Sequence, residues 1–193
     1  MKSSSSDHRT RVTRMLIRKA FLELLQQKPI QSISIKELCA VAGINRGTFY
    51  THYQDIYALQ DQIEADMVAD FQRALDPILE RSDSEHYLVE VCTGIFQCLK
   101  ENADLCVVML GDYGDKAFLA RLLAMGKETC IRSYSQYFHG ANQRQIEYFY
   151  AFVSNGCIGL LKQWIHDGMT ASAAELAQMA EMIMLHGIGF LRM

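Results

Sequence analysis

The chain has 193 residues, of which half are hydrophobic and 21% are charged, and its formal net charge is −3. This composition excludes a disordered or fibrous chain and is sufficient for one large hydrophobic core or two smaller ones. The first residues lack the apolar stretch of a signal peptide and no segment is apolar for long enough to cross a bilayer, so we expect a cytoplasmic protein without a membrane partner.

Charge is distributed unevenly along the chain. Residues 1–60 contain nine Lys and Arg against four Asp and Glu, a balance of +5, whereas residues 61–193 contain ten against eighteen, a balance of −8. A basic segment ahead of an acidic one favours a front part that binds a polyanion. The six cysteines occur without any Cys-x-x-Cys pair, so we expect reduced thiols, no metal site and no cofactor.

Apolar residues recur every three or four positions, which predicts an all-α protein. The first helix is expected at about 9–27. Its core face consists of apolar residues at helical spacing, namely Ile17, Ala20, Phe21 and Leu24. Its polar side carries the cations Arg9, Arg11, Arg14, Arg18 and Lys19. Pro29 ends this helix, because proline lacks the N–H that would continue the hydrogen-bond ladder.

Two short helices joined by a glycine turn are expected next. Ser34 and Glu37 have the spacing of a capping box, so the second helix begins there. Gly43 fits the left-handed position that ends a helix, and Asn45 offers the next N-cap. Two helices connected in this way form a helix-turn-helix.

The third helix is predicted to carry a DNA-reading face. In "GINRGTFYTHY" (43–53), Ile44, Phe49 and Tyr53 are expected to face the core and the other residues to face outward. The second helix of this motif lies in the major groove, where arginine and threonine contact base edges while hydroxyl and imidazole groups reach phosphates. The candidate DNA-binding residues are Ser34, Arg46, Gly47, Thr48, Tyr50, Thr51 and His52.

The segment "RVTRMLIRKAFLELLQQKPIQSISIKELCAVAGINRGTFYTHYQDIYAL" (11–59) resembles the DNA-binding domain of the TetR family of transcriptional regulators. Its run from Ala42 to Tyr53 follows that family's signature nearly position by position. The resemblance implies base contacts by Arg46, Gly47 and Thr48, and phosphate contacts by Ser34, Tyr50 and His52. One departure is Ile56, where members commonly have a phosphate-binding lysine. The salt dependence of binding is then weaker, or is carried by Arg9, Arg11 and Arg14.

The remainder of the chain is expected to form a helical body. We predict a DNA-binding domain at 1–54 and an effector-binding and dimerisation domain at 55–193. The body begins with a long helix at about 55–80, capped by Asp55 and with Pro77 near its end. Further helices are expected at about 84–101, 103–110, 115–139, 142–166 and 172–191. The resemblance is loose in this part and implies a variable body that binds a small molecule and dimerises.

DNA geometry predicts a homodimer. One helix-turn-helix reads few base pairs, so specificity requires two half-sites about 34 Å apart and a two-fold pair of subunits. The last two predicted helices are apolar on more than one stripe, which is typical of helices that pack both inside a subunit and against a partner. The interface candidates are Phe149, Phe152, Val153, Gly156, Leu160, Met179, Met182, Ile183 and His186.

Aromatic and methionine side chains of the body are candidates for lining an apolar effector pocket, although such residues are also typical of a plain core. They are Phe71, Phe96, Met109, Tyr113, Phe118, Tyr134 and Trp164. We expect a ligand-responsive dimeric regulator that binds a palindromic operator in double-stranded DNA, and the resemblance implies a repressor.

Two alternatives to this function stay open, and neither is an enzyme. One is a regulator that responds to oxidation of its thiols, for which the candidates are Cys92, Cys98, Cys106 and Cys130. The other is a helical adaptor that has lost DNA binding, with Ile56 as its sequence indication. An enzyme is not expected, because no nucleophile with its base, carboxylate pair or phosphate-binding glycine loop has specific support.

Overall fold

In the computed structural model the described residues are 3–79, 87–137, 140–187 and 189. All regular secondary structure within these residues is helical, so the predicted all-α class is confirmed. The helices are α1 (Ser3–Leu25), α2 (Ile35–Ala42), α3 (Arg46–Tyr50), α4 (Ile56–Leu79), α5 (Tyr87–Glu101), α6 (Ala103–Leu110), α7 (Lys116–Tyr137), α8 (Gln143–His166) and α9 (Ala173–His186). A short 3₁₀ turn, Ile30–Ser32, follows Pro29. None of the helices within the described ranges is long and apolar enough to cross a membrane.

The helix ends follow local capping chemistry. Asn142 and Ser172 each form a complete capping box, with Gln145 and Glu175 respectively, at the starts predicted for α8 and α9. Two ends differ from the prediction. Helix α1 begins six residues before the expected start, and α9 ends at His186 because Gly187 has φ +53°. The predicted helix residues 80, 84–86, 138–139, 188 and 190–191 lie outside the described part of the chain.

Packing divides the chain into two compact units. The first unit contains the described residues up to Met67 together with Asp104–Lys116, and the second contains Val68–Ala103 and the described residues from Ala117 onward. This division by contacts cuts α4 near its middle and assigns α6 to the first unit. The functional boundary at 54/55 stays a prediction.

The first unit is organised around the helix-turn-helix. Helix α1 packs on α2, and α2 packs on α3. The predicted core residues of α1 are all buried, and Leu38, Phe49 and Leu59 have no exposed surface. This core holds α3 against α1 and α2, so the residues of α3 that do not enter it face solvent.

The second unit is built from the remaining helices of the body. Helix α9 packs against both α5 and α8. Phe96 meets Trp164 edge to face with 6.1 Å between ring centroids, and the indole N–H of Trp164 donates to the carbonyl of Ala171 at 3.1 Å. A second cluster joins Tyr134 and Ile146, with Phe149 edge to face on Tyr134 at 5.2 Å.

Gly43→Ala should lower the thermal stability of the protein, and Gly126→Ala should raise it. Gly43 has φ +66°, a left-handed conformation that costs a residue with a Cβ about 1–2 kcal/mol. Gly126 lies inside α7 with open space around an added Cβ, and alanine is favoured over glycine there by about 0.5–1 kcal/mol. Thermal unfolding of the two variants beside the wild type measures both effects. Equal melting shifts would contradict the assignment of Gly43 to the turn.

Candidate nucleic-acid interface

The turn between α2 and α3 is shaped by three residues. The hydroxyl of Ser34 accepts the backbone N–H of Glu37 at 3.2 Å and caps α2. Gly43 ends α2 in the left-handed conformation. The amide oxygen of Asn45 then accepts the backbone N–H of Thr48 at 2.7 Å and caps α3. The predicted helix-turn-helix is therefore formed by the residues that local capping chemistry indicated.

The carboxylate of the predicted capping box at Ser34 interacts with two donors. Glu37 accepts a hydrogen bond from the Lys28 ammonium at 2.6 Å. That bond, and to a smaller degree the backbone N–H of Ser34, hold the pKa of Glu37 below its usual range. The Lys28–Glu37 ion pair connects the loop after α1 to the first turn of α2.

Helix α3 presents the candidate DNA-binding residues at the surface. Phe49 is buried, Tyr53 is nearly so, and Tyr50 is 56% exposed with its ring edge to face on Phe49 at 5.6 Å. Arg46, Gly47 and Thr51 are exposed, as is Ser34 at the start of α2, while Thr48 and His52 are half-buried. The core and surface sides of this segment agree with the hydrophobic pattern.

Helix α3 is shorter than the sequence suggested. It ends at Tyr50, with Thr51 as its C-cap, so Thr51, His52 and Tyr53 belong to the following turn and not to the helix. Their backbone N–H groups still bond back to the carbonyls of Gly47 and Phe49. Helix α3 itself makes about one and a half turns, so the reading surface is compact.

Hydrogen bonds inside the protein restrict what the threonines can offer. The Thr48 hydroxyl donates to the Asn45 side chain at 3.1 Å, and the Thr51 hydroxyl donates to the Thr48 carbonyl at 2.7 Å. In this conformation each threonine can give DNA an acceptor oxygen or a methyl group but not a donor. Gly47 has a structural role beside these contacts, since an added Cβ would approach the Asn45 oxygen at 3.2 Å.

The start of α4 differs chemically from the family pattern. Asp55 caps the helix by accepting the backbone N–H groups of Tyr57 and Ala58 at 2.9 and 2.8 Å, as predicted. Ile56 is buried in the core of the first unit, so it contributes packing at this position and no cationic group. Tyr57 is 51% exposed and is the side chain of the first turn that reaches solvent.

An ion pair that the sequence did not indicate joins α1 to α6 within the first unit. Arg18 donates to the carboxylate of Asp104 at 2.9 Å, although the two residues are 86 positions apart. Gln60 of α4 also approaches Asp115, at 3.5 Å, just after α6. No local pattern signals such contacts, because they depend on how distant helices pack.

The candidate pocket residues are divided between the two compact units. Phe96 and Trp164 are in contact, Tyr134 belongs to the separate cluster with Phe149, and Phe118 is buried in α7. Phe71 is half-buried on α4. Met109 is buried and Tyr113 is 45% exposed, and both belong to the first unit. Phe96 and Trp164 are thus two of the seven candidates that the structure brings into contact.

Several large apolar side chains are exposed on α8 and α9. Phe152 is 72% exposed, Tyr148 one turn before it is 65% exposed, and Met179 and Met182 of α9 are also exposed. Gly156 and Gly159 leave open space where a Cβ would stand. We call the surface formed by Tyr148, Phe152, Gly156, Gly159, Met179 and Met182 the α8–α9 face.

The predicted interface residues include both buried and exposed positions, and the interface itself stays a prediction. Val153 is buried within its own subunit, and Phe149 packs on Tyr134. Leu160 and Ile183 are half-buried and His186 is exposed. Sequence reasoning missed Tyr148, whose signal was its i, i+4 spacing to Phe152.

Among the candidate sensor thiols, Cys98 has an environment that does not favour ionisation. Burial raises the pKa of Cys98 to about 11, and the nearby carboxylates of Asp70 and Glu101 act in the same direction. Cys106 is completely buried and Cys92 is partly so. The side chain of Cys130 lies outside the described part of the structure. Since the thiolate is the species that reacts, Cys98 is a poor sensor of oxidants.

The chain is similar to a family model and to a curated relative. The family model TetR_C_8, described as a transcriptional regulator C-terminal region, matches residues 88–186, half of the chain. The uncharacterized HTH-type transcriptional regulator YxbF of Bacillus subtilis (strain 168) is 30% identical over 70 residues, which cover 36% of this chain. The match spans only 18% of that relative's length.

Solved structures share the fold at low sequence identity. FadR from Bacillus subtilis, a transcriptional regulator in complex with stearoyl-CoA, has a TM-score of 0.66 at 14% identity and covers 90% of this chain and 98% of its own. NalD, the secondary repressor of the MexAB-OprM multidrug efflux pump in Pseudomonas aeruginosa, has a TM-score of 0.61 at 19% identity over 92% and 97%. A TetR regulator from Streptococcus agalactiae 2603V has a TM-score of 0.56 at 21% identity over 95% and 99%.

Proposed function

The chain belongs to the TetR family of transcriptional regulators, and from that premise we propose that it represses transcription as a homodimer on a palindromic DNA operator. The observation that carries the proposal is the surface of α3, which exposes Arg46, Gly47 and Tyr50 beside a buried Phe49. A small-molecule effector bound by the second unit then changes the affinity for the operator. The protein acts in the cytoplasm, where its DNA is.

Base reading is assigned to the first residues of α3. Arg46 can bond the major-groove edge of guanine through two N–H groups, and the absence of a side chain at Gly47 permits close approach of the backbone. Thr48 contributes its methyl group or its acceptor oxygen, because its hydroxyl proton is used in the cap. Ser34, Tyr50, Thr51 and His52 surround this centre and reach phosphate oxygens, which fix the register of the helix on the duplex.

Dimerisation is assigned to the α8–α9 face. Exposed aromatic and methionine side chains lie there beside two glycines with open space, a surface that a second copy of the same helices can cover closely. A two-fold arrangement places the same residues on both sides of the contact. It also presents two α3 helices to a palindrome, which one subunit cannot read.

The effector is proposed to bind among apolar side chains of the second unit, near Phe96 and Trp164. Trp164 is the only tryptophan of the chain, so its fluorescence reports directly on this site. The Lys100 ammonium lies 5.5 Å from the centre of its indole ring and provides a polar group beside the apolar pair. An effector shifts the population toward a conformation with weaker operator binding, which requires higher affinity for that conformation.

Selection of bound sequences from a random duplex library tests the DNA-binding function. The wild-type protein in moderate salt is expected to enrich a palindrome whose half-sites are one helical turn, or a multiple of it, apart. Operator release and a change in Trp164 fluorescence on addition of the same compound then identify an effector. No enrichment would overturn the proposal in favour of an adaptor without DNA binding. Release that depends on oxidant and is reversed by a reductant would favour the thiol-responsive alternative.

Tyr50→Phe should weaken operator binding without altering the selected sequence. The substitution removes the hydroxyl that we assign to a phosphate oxygen but keeps the ring that packs on Phe49. The loss of one hydrogen bond to a charged phosphate is worth about 1.5–3 kcal/mol, or about ten- to 150-fold in affinity per half-site. Titration of the recovered operator measures the loss of affinity. The matched control is Tyr113→Phe, because Tyr113 is an exposed tyrosine outside α3. An altered sequence preference would assign Tyr50 to base reading instead.

A further inference from the structure

The amide oxygen of Asn45 accepts two hydrogen bonds from the same residue, Thr48. The backbone N–H of Thr48 donates to this oxygen at 2.7 Å, and the Thr48 hydroxyl donates to it at 3.1 Å. The backbone bond identifies the atom as the carbonyl oxygen of the amide, because an NH₂ group cannot accept an N–H. The hydroxyl is therefore the donor at this contact, and its proton is not available to DNA.

Neighbouring groups hold this arrangement in place. The Thr51 hydroxyl donates to the backbone carbonyl of Thr48 at 2.7 Å, so both backbone polar groups of Thr48 are bonded to side chains. A Cβ on Gly47 would lie 3.2 Å from the Asn45 oxygen and press on it, so the absence of a side chain there leaves that oxygen its room. Since the hydroxyl and methyl groups of threonine share one carbon, fixing the hydroxyl also fixes the direction of the methyl group.

A threonine in this state matches the chemistry of an A·T base pair. Its oxygen can accept the N6 amino group of adenine, and its methyl group can contact the C5-methyl group of thymine. Guanine presents acceptors at N7 and O6 in the major groove, and a hydroxyl whose proton is already used cannot bond them. Cytosine offers an amino donor, but a G·C pair lacks the methyl group. Thr48 is half-buried, so part of its surface remains open to such a contact.

We propose that Asn45 is a positioning residue that sets the base preference of Thr48 and restricts it to an A·T pair in each half-site. The inference rests on the proposed operator binding and adds to it the identity of one base pair and the residue that selects it. Asn45 acts through the proton that it holds on Thr48 and does not itself read a base. Without this acceptor the Thr48 hydroxyl is free to rotate and to donate to guanine, so the preference relaxes.

Asn45→Gly tests the assignment, because glycine is tolerated as an N-cap residue but carries no acceptor. Library selection with Thr48→Val, which keeps a methyl group and loses the oxygen, first locates the base pair that Thr48 reads as the one whose preference weakens. The wild type is expected to select A·T at that position, and Asn45→Gly to accept G·C as well. Since one neutral hydrogen bond is involved, discrimination there should fall about two- to tenfold per half-site. In a Thr48→Val background, Asn45→Gly should cause no further change in preference.

Two further variants separate positioning from a merely structural role. Asn45→Asp keeps an oxygen that accepts both bonds, so it should retain the A·T preference although its negative charge weakens binding to every duplex. Asn142→Gly removes the equivalent cap of α8, where the Asn142 oxygen accepts the backbone N–H of Gln145 at 3.0 Å. This control should lower thermal stability, as measured by circular dichroism, and change no base preference.

An A·T preference that survives Asn45→Gly, or a motif that Thr48→Val leaves unchanged, would overturn the assignment while the enriched palindrome upheld the proposed function. Equal loss of the preference in Asn45→Asp and Asn45→Gly would also overturn it, since it would show that the Asn45 amide N–H contacts DNA directly. Failure of the wild type to enrich any sequence would overturn operator binding and the assignment together. Recovery of a palindrome by the wild type therefore distinguishes the two failures.

Discussion

Arg46→Ala is expected to remove the sequence preference of the protein while leaving its fold intact. Arg46 is exposed at the first position of α3, and the cap of that helix is supplied by Asn45 and Thr48, which the substitution does not touch. A bidentate arginine–guanine pair contributes about 1–3 kcal/mol of discrimination, or about 5- to 150-fold for each half-site. Because a palindrome presents the contact twice, the loss for a dimer is the square of that factor.

Lys36→Ala is the matched control for Arg46→Ala. Lys36 is an exposed cation in the first turn of α2. Its substitution removes one positive charge, as Arg46→Ala does, but leaves the proposed base contact intact. Lys36→Ala should lower the affinity for every duplex by the same factor, whatever its sequence, and should leave the enriched motif unchanged. Measurement consists of library selection followed by titration of the recovered operator at fixed salt. Recovery of the wild-type palindrome with wild-type affinity by Arg46→Ala would show that α3 is not the reading helix.

The parts of the interface that the sequence predicts are those determined by neighbours along the chain. Ser34, Gly43 and Asn45 each act on backbone groups within three residues, so their roles could be read from residue type and spacing. The same holds for Asp55 at the start of α4. The burial of Phe49 followed from its spacing to other apolar residues. Local chemistry therefore accounts for the shape of the helix-turn-helix.

Features that depend on competition between partners were not predictable in this way. Glu37 interacts with the Lys28 ammonium as well as with the backbone of Ser34, and the sequence pattern predicted only the contact with Ser34. The ion pair between Arg18 and Asp104 depends on how α6 lies against α1. A charged donor gives the stronger hydrogen bond, but its availability depends on the conformation of the loop after α1.

The helical phase of α8, meaning which of its faces is buried, could not be predicted for a different reason. Its sequence is apolar on two adjacent stripes, so periodicity predicts that one stripe is internal without identifying which. In the structure Val153 is internal, whereas Phe152, its neighbour in sequence, is exposed. The choice depends on which stripe fits against α9 and the cluster around Tyr134. It decides which residues remain available to a second subunit.

Phe152→Glu is expected to convert the dimer into a monomer. Burial of a phenylalanine side chain contributes about 1.5–3 kcal/mol, and two-fold symmetry doubles the loss to about 3–6 kcal/mol, or about 10²- to 10⁴-fold in the dimer dissociation constant. Placing two carboxylates in an apolar contact adds a desolvation penalty in the same direction. Since Phe152 is 72% exposed within one subunit, the fold of the monomer has little dependence on it. Sedimentation velocity over a range of protein concentrations measures the change.

Met125→Glu is the corresponding control, because Met125 is an exposed apolar residue of the same unit that lies on α7 and outside the α8–α9 face. It should leave the dimer intact, and Phe152→Leu should weaken association only partly. A Phe152→Glu protein that remains dimeric would assign the interface to another surface.

In the proposed assembly, dimerisation and DNA binding are linked by mass action, which makes the effect of Phe152→Glu on operator binding distinguishable from that of Arg46→Ala. A monomer retains an intact α3 and binds one half-site weakly, so its operator affinity should recover as protein concentration rises and the dimer re-forms. Loss of the Arg46 contact cannot be restored in this way, because the missing hydrogen bonds belong to each half-site. Titration of the operator at several protein concentrations therefore separates a defect in assembly from a defect in base recognition.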